Sequence, residues 1–417
     1  MKKLSILALG ALMVIAFAGP ASAFDNEFGG YTRTRAYSQS DFSGDDTGAQ
    51  DLTNVDTRTR LSYTAVFSED FKFVNRFEWN SVWGDTEGGD IGTDGMGIFR
   101  IKHSYANFNV GSFNFLVGMQ PRILARGFIF DDDFAGTAVT YQGEGFSFPF
   151  IWMKAYEGGM GKDANDQDVD YYALKPTFTV SDTMTLTPFL LYVTSEDASQ
   201  WGGTTQNKKV GVNFLGLDLD MKFDRLSVWF TGIYESGEVD MTAAAQAQQG
   251  VPASEDVAAS LLALGATFDM GALDIHGQVF SASGDDNWAD SDAKAFYVPA
   301  NGGQYYYWSE IMGWGIFDNQ ASKGSCATQI TNILAMNIGI GYKISDNLSL
   351  TLDLWNASLA EKDAAGNDDL GTEIDLVLTY KLMENLNLDV VAAYLSAGDA
   401  TGKEDPVEIG TQLSFKF

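Results

Sequence analysis

The last residues of the chain, VEIGTQLSFKF, alternate without a break. Val407, Ile409, Thr411, Leu413, Phe415 and Phe417 share one face, and Glu408, Gly410, Gln412, Ser414 and Lys416 share the other. Successive side chains of a strand point to opposite faces, so this stretch is a strand with one apolar and one polar side. The pattern returns upstream. Phe71, Phe73, Phe77 and Trp79 keep one parity, as do Phe113, Phe115, Val117 and Met119, then Leu348, Leu350, Leu352 and Leu354, then Ile374, Leu376, Leu378 and Tyr380.

The connections alternate between short and long. Eight are tight, among them Ser68-Glu69-Asp70, Gly111-Ser112 and Ser345-Asp346-Asn347, and nine are long, near 38–54, 83–96, 122–135, 157–168, 196–208, 238–255, 285–328, 359–370 and 397–406. They imply about 18 strands, with 16 as the alternative, because the apolar parity slips near Gly216. In hydrocarbon every backbone N–H and C=O must pair, and only closure removes the open edges of a sheet. The expected fold is all-β: a transmembrane antiparallel up-and-down β-barrel with short periplasmic turns and long extracellular loops.

The N-terminal stretch MKKLSILALGALMVIAFAGPASAF has a basic start, an apolar run from Leu4 to Ala18 and an Ala21-Ser22-Ala23 site. It reads as a signal peptide over 1–23, which leaves 24–417 as one barrel domain. No later apolar stretch has the length of a membrane helix. Cys326 is the only cysteine, which excludes an internal disulfide, a zinc cluster and a C-x-x-C-H haem site. No phosphate loop, dinucleotide fingerprint or zinc spacing occurs. With a formal net charge of −30, the chain offers nucleic acid no net basic face.

Against that acidity the arginines stand out. Eight of the nine lie between Arg33 and Arg126, and YTRTRAY (31–37) and DTRTRLSY (56–63) place them at every second position. Leu61, Tyr63, Ala65 and Phe67 take the lipid side of the second strand, so Arg58 and Arg60 point inward. A cationic side chain on the lipid face costs roughly 2–4 kcal/mol at the midplane, enough to decide the register. By the same argument the third strand sends Lys72 and Arg76 inward and the fourth sends Arg100 and Lys102. Arg33 and Arg35 share parity with Tyr31 and Tyr37, and point inward if Thr32, Thr34 and Ala36 form a thin lipid face.

With Arg122 and Arg126 from the following loop, these residues form a basic strip on one sector, the expected solute path. Two roles for the strip stay open. Arginine suits bidentate contact with the carboxylates of anionic solutes. It can equally pair with inward carboxylates such as Glu78, Asp353, Glu373, Asp375 and Asp389 and hold a polar lumen together. Most of the remaining acids fall in loops, among them Asp45, Asp46, Asp163, Asp166, Asp168, Asp285, Asp286, Asp368 and Asp369.

The loop QPRILARGFIFDDDFAG (120–136) has an apolar centre that should avoid water, either folded inward as a constriction or packed on neighbouring loops. Asp131, Asp132 and Asp133 in it offer oxygens of the kind Ca²⁺ takes, or form a solvated charge run. The longest loop, 285–328, carries GGQYYYWSEIMGWG, readable as a lid, a sugar-stacking surface or a packed loop interior. Of the two histidines, His103 falls on lipid parity, and His276 makes a polar pair with Asp274 in the lumen. No catalytic residue, metal or cofactor is expected, beyond Ca²⁺ held nonspecifically by acidic loops.

The segments DTRTRLSYTAVFSEDFKFVNRFEWN (56–80), ARGFIFDDD (125–133) and GTEIDLVLTYKLMENLNLDVVAAYLSAGD (371–399) resemble parts of bacterial porins related to the alginate-export family. The aromatic end at Phe417 resembles the C-terminal signature of bacterial outer-membrane barrels. The resemblance implies a single-chain barrel whose arginine-rich lumen conducts an anionic polysaccharide, with Arg58, Arg60, Arg76 and Arg100 in the places of basic lumen residues. The expected function is an outer-membrane porin for passive diffusion of small hydrophilic solutes, uronate-like anions among them. The alternatives are a plugged or structural barrel with a sheath or adhesion role, and an outer-membrane hydrolase. Expected partners are outer-membrane lipid, lipopolysaccharide and the solutes, with the barrel a monomer or a trimer.

Overall fold

The computed structural model describes residues 24–417 apart from 93–96, 159–166, 200–206, 288, 298, 300–305 and 319–329. The segment read as a signal peptide, Cys326, and the loop acids Asp163 and Asp166 lie outside the described residues. The first strands are β1 (Asp25–Ser40), β2 (Leu52–Ser68), β3 (Phe71–Val82), β4 (Ile98–Val110), β5 (Phe113–Leu124), β6 (Phe130–Gly143) and β7 (Phe146–Tyr156). β8 comes in two pieces, Val169–Leu174 and Thr177–Ser181, followed by β9 (Met184–Ser195), β10 (Asn207–Phe223), β11 (Leu226–Met241), β12 (Ser254–Asp269) and β13 (Leu273–Ala282). The rest are β14 (Ile333–Ser345), β15 (Leu348–Leu359), β16 (Asp369–Met383), β17 (Leu386–Ala397) and β18 (Val407–Lys416). β8 breaks at Lys175-Pro176, because proline has no N–H to give the ladder.

Neighbours are antiparallel in chain order, and β18 pairs with β1 from Tyr31↔Lys416 to Ser40↔Val407. That last ladder closes a barrel of 18 strands. No helix among the described residues is long and apolar enough to cross a membrane. Outward side chains confirm the alternation: Leu215, Leu262, Ile338 and Ile409 are 61, 57, 60 and 57% exposed. On β1 and β2 the outward face is hydroxylic. Thr32 and Thr34 meet Thr59 and Thr57 at 3.1 and 3.2 Å, so each hydroxyl has a partner within the wall.

The barrel interior changes character along its axis. Toward the long-loop rim the inward side chains of β9 to β12 are apolar and buried, including Leu191, Val193, Val210, Phe214 and Leu261. Nearer the tight turns the same strands send in Thr187, Asp218 and Thr231. This change accounts for the apparent slip near Gly216. The register of β10 against β9 runs unbroken from Ser195↔Val210 to Met184↔Met221. Gly216 faces inward at the boundary, where the ring of Phe189 occupies the space a side chain would need.

The stretch read as a loop at 122–135 is mostly sheet. β4 pairs with β5 only as far as Ser104↔Met119, and β6 pairs with β7 only from Ala135↔Lys154 onward. Between those limits β5 and β6 pair with each other alone, from Gln120↔Phe134 to Leu124↔Phe130. The end of this hairpin leaves the wall and turns into the lumen, where Phe128, Ile129 and Phe130 are buried.

Candidate functional site: an arginine-lined sector

The alternation of β1 and β2 sets Arg33 directly across from Arg58. Two guanidinium groups in that relation repel unless an anion lies between them, and here the anion arrives from the longest loop. Asp318 accepts from Arg33 and, at 3.0 Å, from Arg35, and lies 3.6 Å from Arg58. Arg35 also holds Asp56 through two donors, Nε to Oδ1 at 3.0 Å and Nη2 to Oδ2 at 2.8 Å. Lower on the wall, Arg60 Nε donates to Glu78 Oε2 at 2.7 Å, and Arg58 Nε donates to Asn80 Oδ1 at 2.8 Å.

Arg76, Arg100, Arg122 and Lys72 are not neutralised in this way. Arg76 donates to Ser62 Oγ at 3.2 Å. Among the described residues no carboxylate forms an ion pair with Arg76, Arg100, Arg122 or Lys72. The strip is therefore only partly neutralised by internal acids. Glu78 meets arginines, whereas Asp353, Glu373, Asp375 and Asp389 have other partners.

Three cavities follow the strip. One of about 290 Å³ lies between Asp85, Glu87 and Gly89 and the side chains of Arg35, Arg58 and Arg100. A second of about 530 Å³ is bounded by Arg58, Arg60, Arg76 and Arg100 on one side and Asp131, Asp132 and Asp133 on another. The third, about 450 Å³, reaches the tight-turn end at Gly30 and Lys416 and shares Arg58, Arg60 and Arg76 with the second.

Three expectations change. Asp131, Asp132 and Asp133 belong to β6, not to a loop, and line the central cavity because the hairpin leaves the wall. His103 is not lipid-facing: a β-bulge shifts the register between Arg76↔His103 and Phe77↔Ile101, so Lys102 and His103 both turn inward. There Asp133 accepts from Lys102 Nζ at 2.7 Å and lies 2.9 Å from His103 Nε2. Arg126 is not part of the strip, since from the hairpin tip it reaches the far wall, 2.9 Å from Asp220 and over the ring of Trp229.

The longest loop supplies the second inward element. Glu373 accepts from the N–H groups of Ile311 and Met312 at 2.6 and 2.9 Å and from Ser309 Oγ at 3.1 Å, while Asp375 accepts from Glu310 N at 3.2 Å. Tyr306 stacks on Phe128 of the hairpin, with centroids 3.9 Å apart, and Phe317 stacks on Tyr37 at 4.5 Å. Burial, with Glu373 and other carboxylates nearby, raises the Glu310 carboxyl to about 7, despite the N–H it receives from Ile316.

On the opposite wall, His276 lies 2.9 Å from Asp274 and 3.0 Å from Asp353, beside a cavity of about 440 Å³. Both ring nitrogens of His276 face carboxylates, which hold the imidazole in a polar cluster.

The sequence profile described as alginate export matches residues 136–413. No curated protein matches the chain. Among solved structures, Acinetobacter baumannii OccAB1 aligns with a TM-score of 0.60 at 12% identity over 94% of this chain and 97% of its own. Pseudomonas aeruginosa OccK8 (OprE) aligns at 0.58 and 14% over 94 and 98%. The outer membrane protein OprD of the same organism aligns at 0.56 and 10% over 96 and 95%. At these identities the likeness is one of fold, the closed barrel described above.

Proposed function

The chain belongs to the alginate export family and resides in the outer membrane, and from that premise we propose that it is a porin passing small hydrophilic solutes, anionic uronate-like ones by preference. The observation that carries this reading is the asymmetry of the lumen. Opposite the arginines, the outer half of the interior is packed with apolar wall and loop side chains. Along the arginines, three cavities succeed one another from the loop rim to the turn rim and share their basic lining. A carboxylate moving there passes from one guanidinium to the next, with Arg100 and Arg76 unencumbered by internal acids.

The test is solute flux into liposomes containing purified protein. Glucuronate should enter faster than glucose, which has nearly the same size, and faster than glucosamine. Equal rates for all three would refute the anionic preference. The packed outer half favours one second reading, a plugged barrel, for which none of the three would enter.

A further inference from the structure

Asp318 reaches the strip from the loop that starts after β13, far in sequence from the strands it meets. Its carboxylate is surrounded by three guanidinium groups from two adjacent strands. Two of the three are themselves short of acceptors. Arg33 is buried, and its Nε has no partner among the described residues. Arg58 has one neutral bond, to Asn80, and its other acidic contact, with Glu78, is long at 3.8 Å. Arg35, by contrast, is satisfied by Asp56 and by the carbonyl of Ile316.

The loop around Asp318 is also held in an uncommon backbone shape. Trp314 and Asp318 have φ of 76° and 55°, in the left-handed region that non-glycine residues seldom occupy. Such conformations persist where surrounding contacts impose them. One set of contacts is the anchor of Ser309, Ile311 and Met312 on Glu373, a second holds Ile316 and Phe317 on Arg35 and Tyr37, and a third is Asp318 among the arginines. Neither the Glu373 anchor nor the contacts of Ile316 and Phe317 use the Asp318 carboxylate, so the loop keeps these holds without it.

We propose that Asp318 is an internal substitute for the solute's carboxylate: it occupies a carboxylate-binding position formed by Arg33 and Arg58, and a passing anion displaces it. The proposal rests on the anionic reading of the pore. A tethered carboxylate competes at high effective concentration, so it weakens the apparent affinity of the site for free anions. That keeps residence short, as a conducting path needs. It also spares the facing guanidinium groups an uncompensated state when no solute is present.

The experiment is half-block of chloride current by sodium glucuronate in planar bilayers, comparing wild type, Asp318→Asn and Glu373→Gln. Asp318→Asn should lower the half-blocking concentration by about tenfold, and Glu373→Gln, which loosens the loop but leaves Asp318 in place, should change it by less than about twofold. No tightening in Asp318→Asn, or equal tightening in both variants, would overturn the assignment. Should Asp318→Asn fail to insert, tryptophan emission of wild type and Trp314→Phe under added glucuronate decides instead. A glucuronate-induced change that depends on Trp314 supports displacement, and no such change refutes it. If wild type is not anion-selective but Asp318→Asn becomes so, the role of Asp318 stands and the functional reading fails. If wild type is anion-selective and the variant binds glucuronate no tighter, only the role of Asp318 fails.

Discussion

Glu78 is almost fully buried and serves two arginines, with Arg60 at 2.7 Å and Arg58 at 3.8 Å. Removing its charge leaves both guanidinium groups to the lumen. Glu78→Gln, close in shape, should therefore raise the anion-to-cation permeability ratio by about fivefold, roughly 1 kcal/mol in total. Reversal potentials measure this directly, and a ratio that falls would show Glu78 to be a relay for anions instead of a brake. Gly216 makes the other residue-scale case. A valine there would push into the buried ring of Phe189, and overpacking of this kind costs about 1–3 kcal/mol. Gly216→Val should unfold at lower urea than wild type in folding titrations from lipid vesicles. An unchanged midpoint would mean that Phe189 has room to move.

The two inward elements stand or fall by their mutual packing. Phe128 is fully buried and stacks on Tyr306, so Phe128→Ala should loosen the hairpin by about 3–5 kcal/mol and raise single-channel conductance. Conductance equal to wild type would place the constriction elsewhere. Glu310 sets a pH dependence on the loop. Its carboxyl titrates near 7 when docked against an ordinary 4.5, so the docked loop holds the proton more tightly than the free one. Docking is thus strongest below about 4.5 and weakens as pH rises through about 7. Current noise should grow across that window in wild type and stay flat in Glu310→Gln; identical noise profiles would remove Glu310 from the loop's energetics.

Much of the strand plan was legible because lipid enforces period two on one face and punishes misplaced charge. Arg58, Arg60 and Arg76 could be placed by that rule alone. Two kinds of feature escaped it. A β-bulge leaves no period-two signature, so His103 fell on the wrong side. Contacts made by an inward loop carry no local pattern either: Asp318 lies 285 residues from Arg33 in sequence. The hairpin end at 120–134 reads as loop in the sequence because its apolar core and acidic run fit neither a lipid face nor a polar lumen. It has a cavity on one side and an apolar core on the other.

At the scale of the whole molecule, the proposed route through the barrel is eccentric and follows the basic sector of β1 to β4. Acidic loops give the chain much of its overall charge, yet the cavities of that sector are lined by Arg33, Arg35, Arg58, Arg60, Arg76 and Arg100. The most direct test is the reversal potential across a salt gradient for wild type and the Arg58→Ala, Arg60→Ala, Arg76→Ala triple variant. Wild type should prefer anions, and the variant should lose that preference. A potential of the same sign and size in both would contradict the proposed route and move selectivity to the acidic loops.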